Sequence, residues 1–156
     1  VSVEGKRKAN ASNRKPLPFI LRELHRLFNK ALVLEIAEDA PTESEWLILR
    51  LLWEEHPLSQ RDIAQRAGFW HSAVVGTVDS LEKKGFVRRE RSIVDRRRTD
   101  IHVTDLGWRK YAEWMPLAEK VVKNSFRGVS AQQIRDLHKT LTQVHANLED
   151  QYGSET

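Results

Sequence analysis

From Pro16 onward, Ile20, Leu24, Leu27, Ala31 and Leu34 recur at steps of four and three with charged residues between them. That spacing predicts a first helix over residues 16–38. Pro41 stops it, and Thr42-Glu43-Ser44-Glu45 has the spacing at which a hydroxyl and a carboxylate satisfy each other's free helix-start amides. The helix that follows is apolar nearly all round, so it should be central. Ser59 is placed to cap a short third helix with Ile63, Ala64 and Ala67 facing inward and Gly68 as its stop. Val74, Val78 and Leu81 then give the buried stripe of a fourth helix, His71 to Lys84, closed by Gly85.

The period then changes. Phe86 and Val87 lead into a run of arginines, and Ile101 and Val103 alternate with Asp100 and His102, which predicts two strands joined by a loop at residues 92–98. Thr104 should cap a fifth helix carrying Tyr111, Trp114, Ala118 and Val121, which Pro116 is expected to kink or break. After Gly128 and a capping Ser130, Ile134, Leu137, Leu141, Val144 and Leu148 step by three and four along a last helix. Such a seam needs an apolar partner. The fold class is therefore mainly α with a small β-hairpin wing. A short capped helix, a turn, a second helix and a basic hairpin make a winged helix-turn-helix over residues 42–104, within one domain spanning 16–152. Residues 1–15, polar, basic and aperiodic, are expected to form a disordered arm.

Composition narrows the function. With 40% apolar and 31% charged residues the 156-residue chain is of globular type. The absence of cysteine excludes a disulfide, a thiolate nucleophile and a thiol redox sensor. No apolar run approaches the ~18 residues of a membrane span and no signal-peptide pattern is present, so a cytoplasmic protein is expected. His138 and His145 share a helix but lie two turns apart, and no carboxylate cluster completes a ligand set, so neither metal nor cofactor is expected. Glu54-Glu55-His56 point in different directions on a helix and have no nucleophile or phosphate loop beside them, which argues against an enzyme.

Charge is unevenly spread. Residues 31–55 hold seven acidic groups and one basic one, whereas residues 82–98 hold eight Lys or Arg against three acids. Arg96, Arg97 and Arg98 crowd one hairpin loop and repel one another unless something anionic takes them up. An ordinary solvated face is the alternative reading. A duplex supplies the counter-charge: the second helix of the pair fits the major groove, and the hairpin reaches phosphates or the minor groove.

The stretch "LSQRDIAQRAGFWHSAVVGTVDSLEKKGFVRRERSIVDRRRTDIHVTDLG" resembles the central region of the MarR family of bacterial transcription regulators, most specifically in "DSLEKKGFVRR" and in "DRR…VTDLG". "PTESEWLILRLL" resembles the family's second helix, and the likeness extends over about residues 17–150. It implies that the helix from His71 lies in the major groove. It also implies that Asp95 and Arg97 form the wing's Asp-x-Arg, with Arg97 entering the minor groove and Arg96 and Arg98 as phosphate contacts or alternates to it. His71, Ser72, Thr77 and Ser80 are the polar candidates for base readout, Val75 could touch a thymine methyl and Gly76 could permit close backbone approach. Lys83 and Arg88 complete the DNA-binding set. Two departures from the family pattern stand out: Trp70 where a small polar cap is usual, and Val75-Gly76 where relatives carry Thr and Arg.

The resemblance further implies a homodimer built through the helices at 16–38, 105–127 and 130–152, with Ile20, Leu24, Leu137, Leu141, Val144 and Leu148 at the interface. A roughly palindromic DNA operator follows. Trp46, Arg50 and Trp53 fall at i, i+4 and i+7, a surface suited to an aromatic carboxylate, with core packing around a snorkelling arginine as the alternative. Arg22, His25 and Trp114 could line the same cavity, since family members often bind small aromatic acids there. The expected function is a sequence-specific DNA-binding regulator, a repressor released by a small aromatic effector. The rivals are an architectural or protein/RNA-interaction module and a drug-responsive efflux regulator.

Overall fold

In the computed structural model, residues 15–93, 95 and 97–153 are described. The expected arm, apart from Lys15, and Arg96 lie outside them. The chain divides into two compact units after Glu119, within the fifth helix.

In the first unit, α1 (Leu17–Ile36) starts at Pro16, and α2 (Glu43–Glu54) starts at the expected box. The Glu45 amide donates to Thr42 Oγ1 at 3.3 Å and the Thr42 amide to Glu45 Oε2 at 2.8 Å. Ser59 caps α3 (Gln60–Ala67) in the same reciprocal way with Asp62, and Gly68 ends it at φ 65°, where a side chain would be strained. The helix α4 (His71–Lys83) follows after a short turn.

Beyond it β2 (Val87–Arg91) and β3 (Thr99–Val103) form the hairpin, with Val87 opposite Val103 and Arg89 opposite Ile101. A third strand, β1 (Leu58–Ser59), pairs antiparallel with the other edge of β3. Two residues leave no periodic signal, so this strand is visible only through its pairing. The stripe Val74, Val78 and Leu81 is fully buried against Ile48, Leu49, Leu52, Ile63 and Ile101. Apolar removal from water on this scale, at ~25 cal/mol per Å², is what holds α4 and the hairpin as one body.

The helix α5 (Asp105–Ser125) begins where Gly107 donates to Thr104 Oγ1. A Cβ on Gly107 would lie 2.3 Å from the Phe86 carbonyl oxygen, so only glycine lets the helix start so near the sheet. The expected break at Pro116 does not occur: α5 runs through it as one helix. Trp114, Met115, Leu117 and Ala118 pack on the core on both sides of the exposed proline, and that packing outweighs one lost ladder bond. The second unit holds the end of α5 and α6 (Ala131–Tyr152), which is capped by Ser130 with Gln133. None of α6 is buried, and Leu137 and Leu148 are 46% and 55% exposed.

Candidate nucleic-acid interface

The phase that buries Val74, Val78 and Leu81 turns Ser72, Gly76, Asp79 and Lys83 onto the opposite face of α4. His71 is exposed at its start and Val75 is half-buried beside this face. Two predicted members are otherwise engaged. The Ser80 hydroxyl donates to Glu45 Oε1 at 2.7 Å, because its position falls toward α2, so the expectation that it reads a base is corrected. The Thr77 hydroxyl donates to the Ala73 carbonyl, which leaves it only acceptor capacity.

Three ion-pair systems fix α4 and the hairpin, and none of them was legible in the sequence. Glu45 is 2% exposed, yet its carboxylate accepts from Lys84 Nζ at 2.7 Å, from the Ser80 hydroxyl and from the Thr42 amide. Burial opposes its charge, but those three donors together hold its carboxyl below the ordinary range. Arg89 reaches from β2 to Asp79 and Glu82 on α4, which neutralises the acid at the centre of the outward face. Arg98 places Nε 2.6 Å from Asp100 and Nη2 2.7 Å from Asp62. Ser59's hydroxyl first, against some burial, and then its amide and Arg98 keep the Asp62 carboxyl depressed.

Arg98 is therefore a tie between hairpin and α3: in the free chain two carboxylates already supply its counter-charge. Arg88 is likewise paired, with Glu90. Asp95 Oδ1 accepts from the Arg97 amide at 2.9 Å and its carbonyl accepts from the Arg98 amide, so the acid shapes the loop through the backbone. Arg97 itself is exposed, and among the described residues it, Arg91, Arg61 and Lys83 have no carboxylate partner. The loop thus holds fewer free cations than its arginine count suggests, and Arg97 is one of them.

The predicted effector residues separate. Trp53 is buried, with its indole donating to the Gly107 carbonyl, and Trp114 is wholly enclosed. Trp46 is half-buried and meets Trp53 edge-on at 5.7 Å. Arg50 does not lie between the indoles. It pairs with Glu54 one turn on, a stronger partner than a ring face, and its other arm points at the Met115 sulfur at 3.3 Å. The cation that does stack is Lys110, 5.2 Å from the Trp114 ring. Arg22 and His25 are exposed on α1, and His25 lies 3.4 Å from Glu43. No hydrogen bond, ion pair or ring contact among the described residues joins either to Arg50 or Trp46. Of the predicted interface residues, Ile20 and Leu24 are exposed on α1, and Leu141 and Val144 are half-buried on α6.

The sequence model described as MarR family matches residues 42–99, which span α2, α3, α4 and the hairpin as far as the start of β3. The transcriptional regulator MgrA of Staphylococcus aureus is 27% identical over 103 residues, covering 66% of this chain and 69% of that one. CouR from Rhodococcus jostii, solved with p-coumaroyl-CoA bound, superposes with a TM-score of 0.74 at 24% identity, over 83% of this chain and 92% of that one. BpsR of Bordetella bronchiseptica, whose DNA binding is regulated by 6-hydroxynicotinic acid, gives a TM-score of 0.74 at 18% identity, over 84% and 94%. These two likenesses establish the fold. Residues 42–99, the helix-turn-helix and hairpin, are thus similar to the MarR family of winged-helix transcriptional regulators, and the fold that surrounds them is that of the solved regulators.

Proposed function

We propose that this regulator is a homodimeric, cytoplasmic repressor that holds a pseudo-palindromic operator and is released by a small aromatic, carboxylate-like effector. The observation that carries the DNA half is the wing. Its other described arginines on β2 and at the loop end are mostly neutralised within the fold, while Asp95 holds the backbone of an exposed and unpaired Arg97. Intramolecular pairing spends charge on rigidity and leaves the Arg97 guanidinium at the loop for the narrow groove. Ser72, Gly76 and Lys83 present the major-groove face. Asp79 on that face is masked by Arg89 and repels phosphate less than its charge implies.

Arg97→Ala should weaken duplex binding about 10- to 100-fold and flatten the slope of log affinity against log salt by roughly one. The dimer should stay intact. Titration at several salt concentrations reads both quantities, and a variant with wild-type affinity and slope removes Arg97 from the interface.

The effector half rests on Arg50, one arm of which meets only a thioether, a weak acceptor that a carboxylate would displace. Trp46 lies one turn before it on α2 as a partly covered indole, and two structural relatives were described with aromatic acyl or acid ligands. Release would act by population shift: the effector binds better to a dimer whose α4 helices are spaced wrongly for the operator. Arg50→Ala should abolish release by 6-hydroxynicotinate or p-coumarate while leaving operator affinity within about twofold, since the residue lies away from the DNA-facing set. If the variant is still released at the wild-type concentration, Arg50 is not the carboxylate's partner.

A further inference from the structure

Among the described residues, most exposed large apolar side chains lie in stripes on α1 and α6, but the two most exposed, Trp70 at 81% and Ile93 at 99%, stand apart from them. They sit in the turn of the helix-turn-helix and in the loop of the hairpin. Among the described residues, Arg97 in that loop, Lys83 at the far end of α4 and Arg61 at the start of α3 have no carboxylate partner. A free indole is costly to leave in water, and Trp70 gains nothing for the fold by being there. It occupies the N-cap of α4 without a side-chain cap bond, at a position where Ser or Asp would satisfy an orphan amide. Neither packing nor capping accounts for it.

We propose that Trp70 is a duplex-contacting residue, its indole packing on the deoxyribose wall or a thymine methyl beside the groove that α4 enters. The inference rests on the DNA-binding orientation proposed above, and it adds a contact of a different kind. The facing chemistry is complementary, because the cations attract the polyanion and the indole covers the apolar sugar and methyl surface between phosphates. Unlike a guanidinium, an indole displaces no counterion. Its share of the affinity is therefore independent of salt.

The test uses Trp70→Ser and Trp70→Phe in the full chain. The probe is a duplex of roughly 30 base pairs recovered by the wild-type protein from a random-sequence pool, long enough for two half-sites one turn apart. Trp70→Ser should bind about tenfold more weakly with a salt slope parallel to wild type, as loss of most of a large apolar contact implies. It should melt no lower than wild type, because serine restores the missing cap. Trp70→Phe should recover most of the affinity. Wild-type affinity in Trp70→Ser, a flatter salt slope, or a lower melting temperature would overturn the proposal. The first places the indole off the DNA, the second makes its effect electrostatic, and the third makes it structural. Arg97→Ala serves as the internal reference. If it flattens the slope while Trp70→Ser binds normally, this inference fails alone; if neither variant departs from wild type, the DNA-facing orientation fails with it.

Discussion

Leu141→Glu is expected to sediment as a monomer and to bind the operator at least a hundredfold more weakly than wild type. The residue lies at the middle of the α6 stripe formed by Ile134, Leu137, Leu141, Val144 and Leu148, on a 22-residue helix with no buried side chain. A helix that leaves such a stripe to water gains its stability from a partner. In a two-fold interface the substitution acts twice, placing two carboxylates in one apolar seam at several kcal/mol each. Loss of the dimer converts two linked half-site contacts into one, and the lost effective concentration alone is worth a factor of about 10² to 10⁴. The fold around α4 should survive, since its core residues come from α1 to α5. A wild-type sedimentation profile would show that the stripe pairs elsewhere.

Glu45→Ala should destabilise the protein by about 2–3 kcal/mol. The carboxylate closes the α2 capping box, accepts from Ser80 and pairs with Lys84, so its removal takes a cap worth ~1 kcal/mol together with two further bonds made in a dry site. The larger penalty of a stranded buried charge does not apply in full, because Lys84 is partly exposed and returns to water. The same group sets an acid limit. Its folded pKa is depressed, so its stabilisation is fully present above the ordinary glutamate range and is lost as pH falls through the lower, folded value. Asp62 and Asp100 are depressed in the same direction and add to that limb at the wing. Thermal melts of wild type and variant should therefore differ most near neutrality and converge in acid. A gap that stays constant down to low pH would mean that Glu45 acts by packing and not by charge.

Features decided locally were legible in the sequence. The caps at Thr42, Ser59 and Ser130 depend on residues three apart, and all three form with both bonds. The stripe of α4 depends only on helical phase, and it is buried as read. What sequence could not supply was the choice among partners. Arg98, Arg97 and Arg88 look alike in a basic run, yet one is taken by Asp62 and Asp100, one by Glu90, and one has no carboxylate. That outcome turns on which acids the β1–β3–β2 sheet and α3 bring near, and the closest pairings span up to 36 positions. For Arg50, Glu54 lies one turn on along the same helix, whereas the Met115 sulfur stands 65 positions away and has no local signal. Trp70 was noticed as a departure, but its exposure became readable only once α4 was built around it.

The proposed dimer, the wing and the outward face of α4 meet in one measurement: affinity of the intact protein for its selected duplex and for a scrambled one of equal length, across a range of salt. A straight, steep decline of log affinity with log salt is expected, with a preference for the selected duplex of about 10³ or more. Equal affinity for both duplexes, or affinity indifferent to salt, would contradict the proposed function.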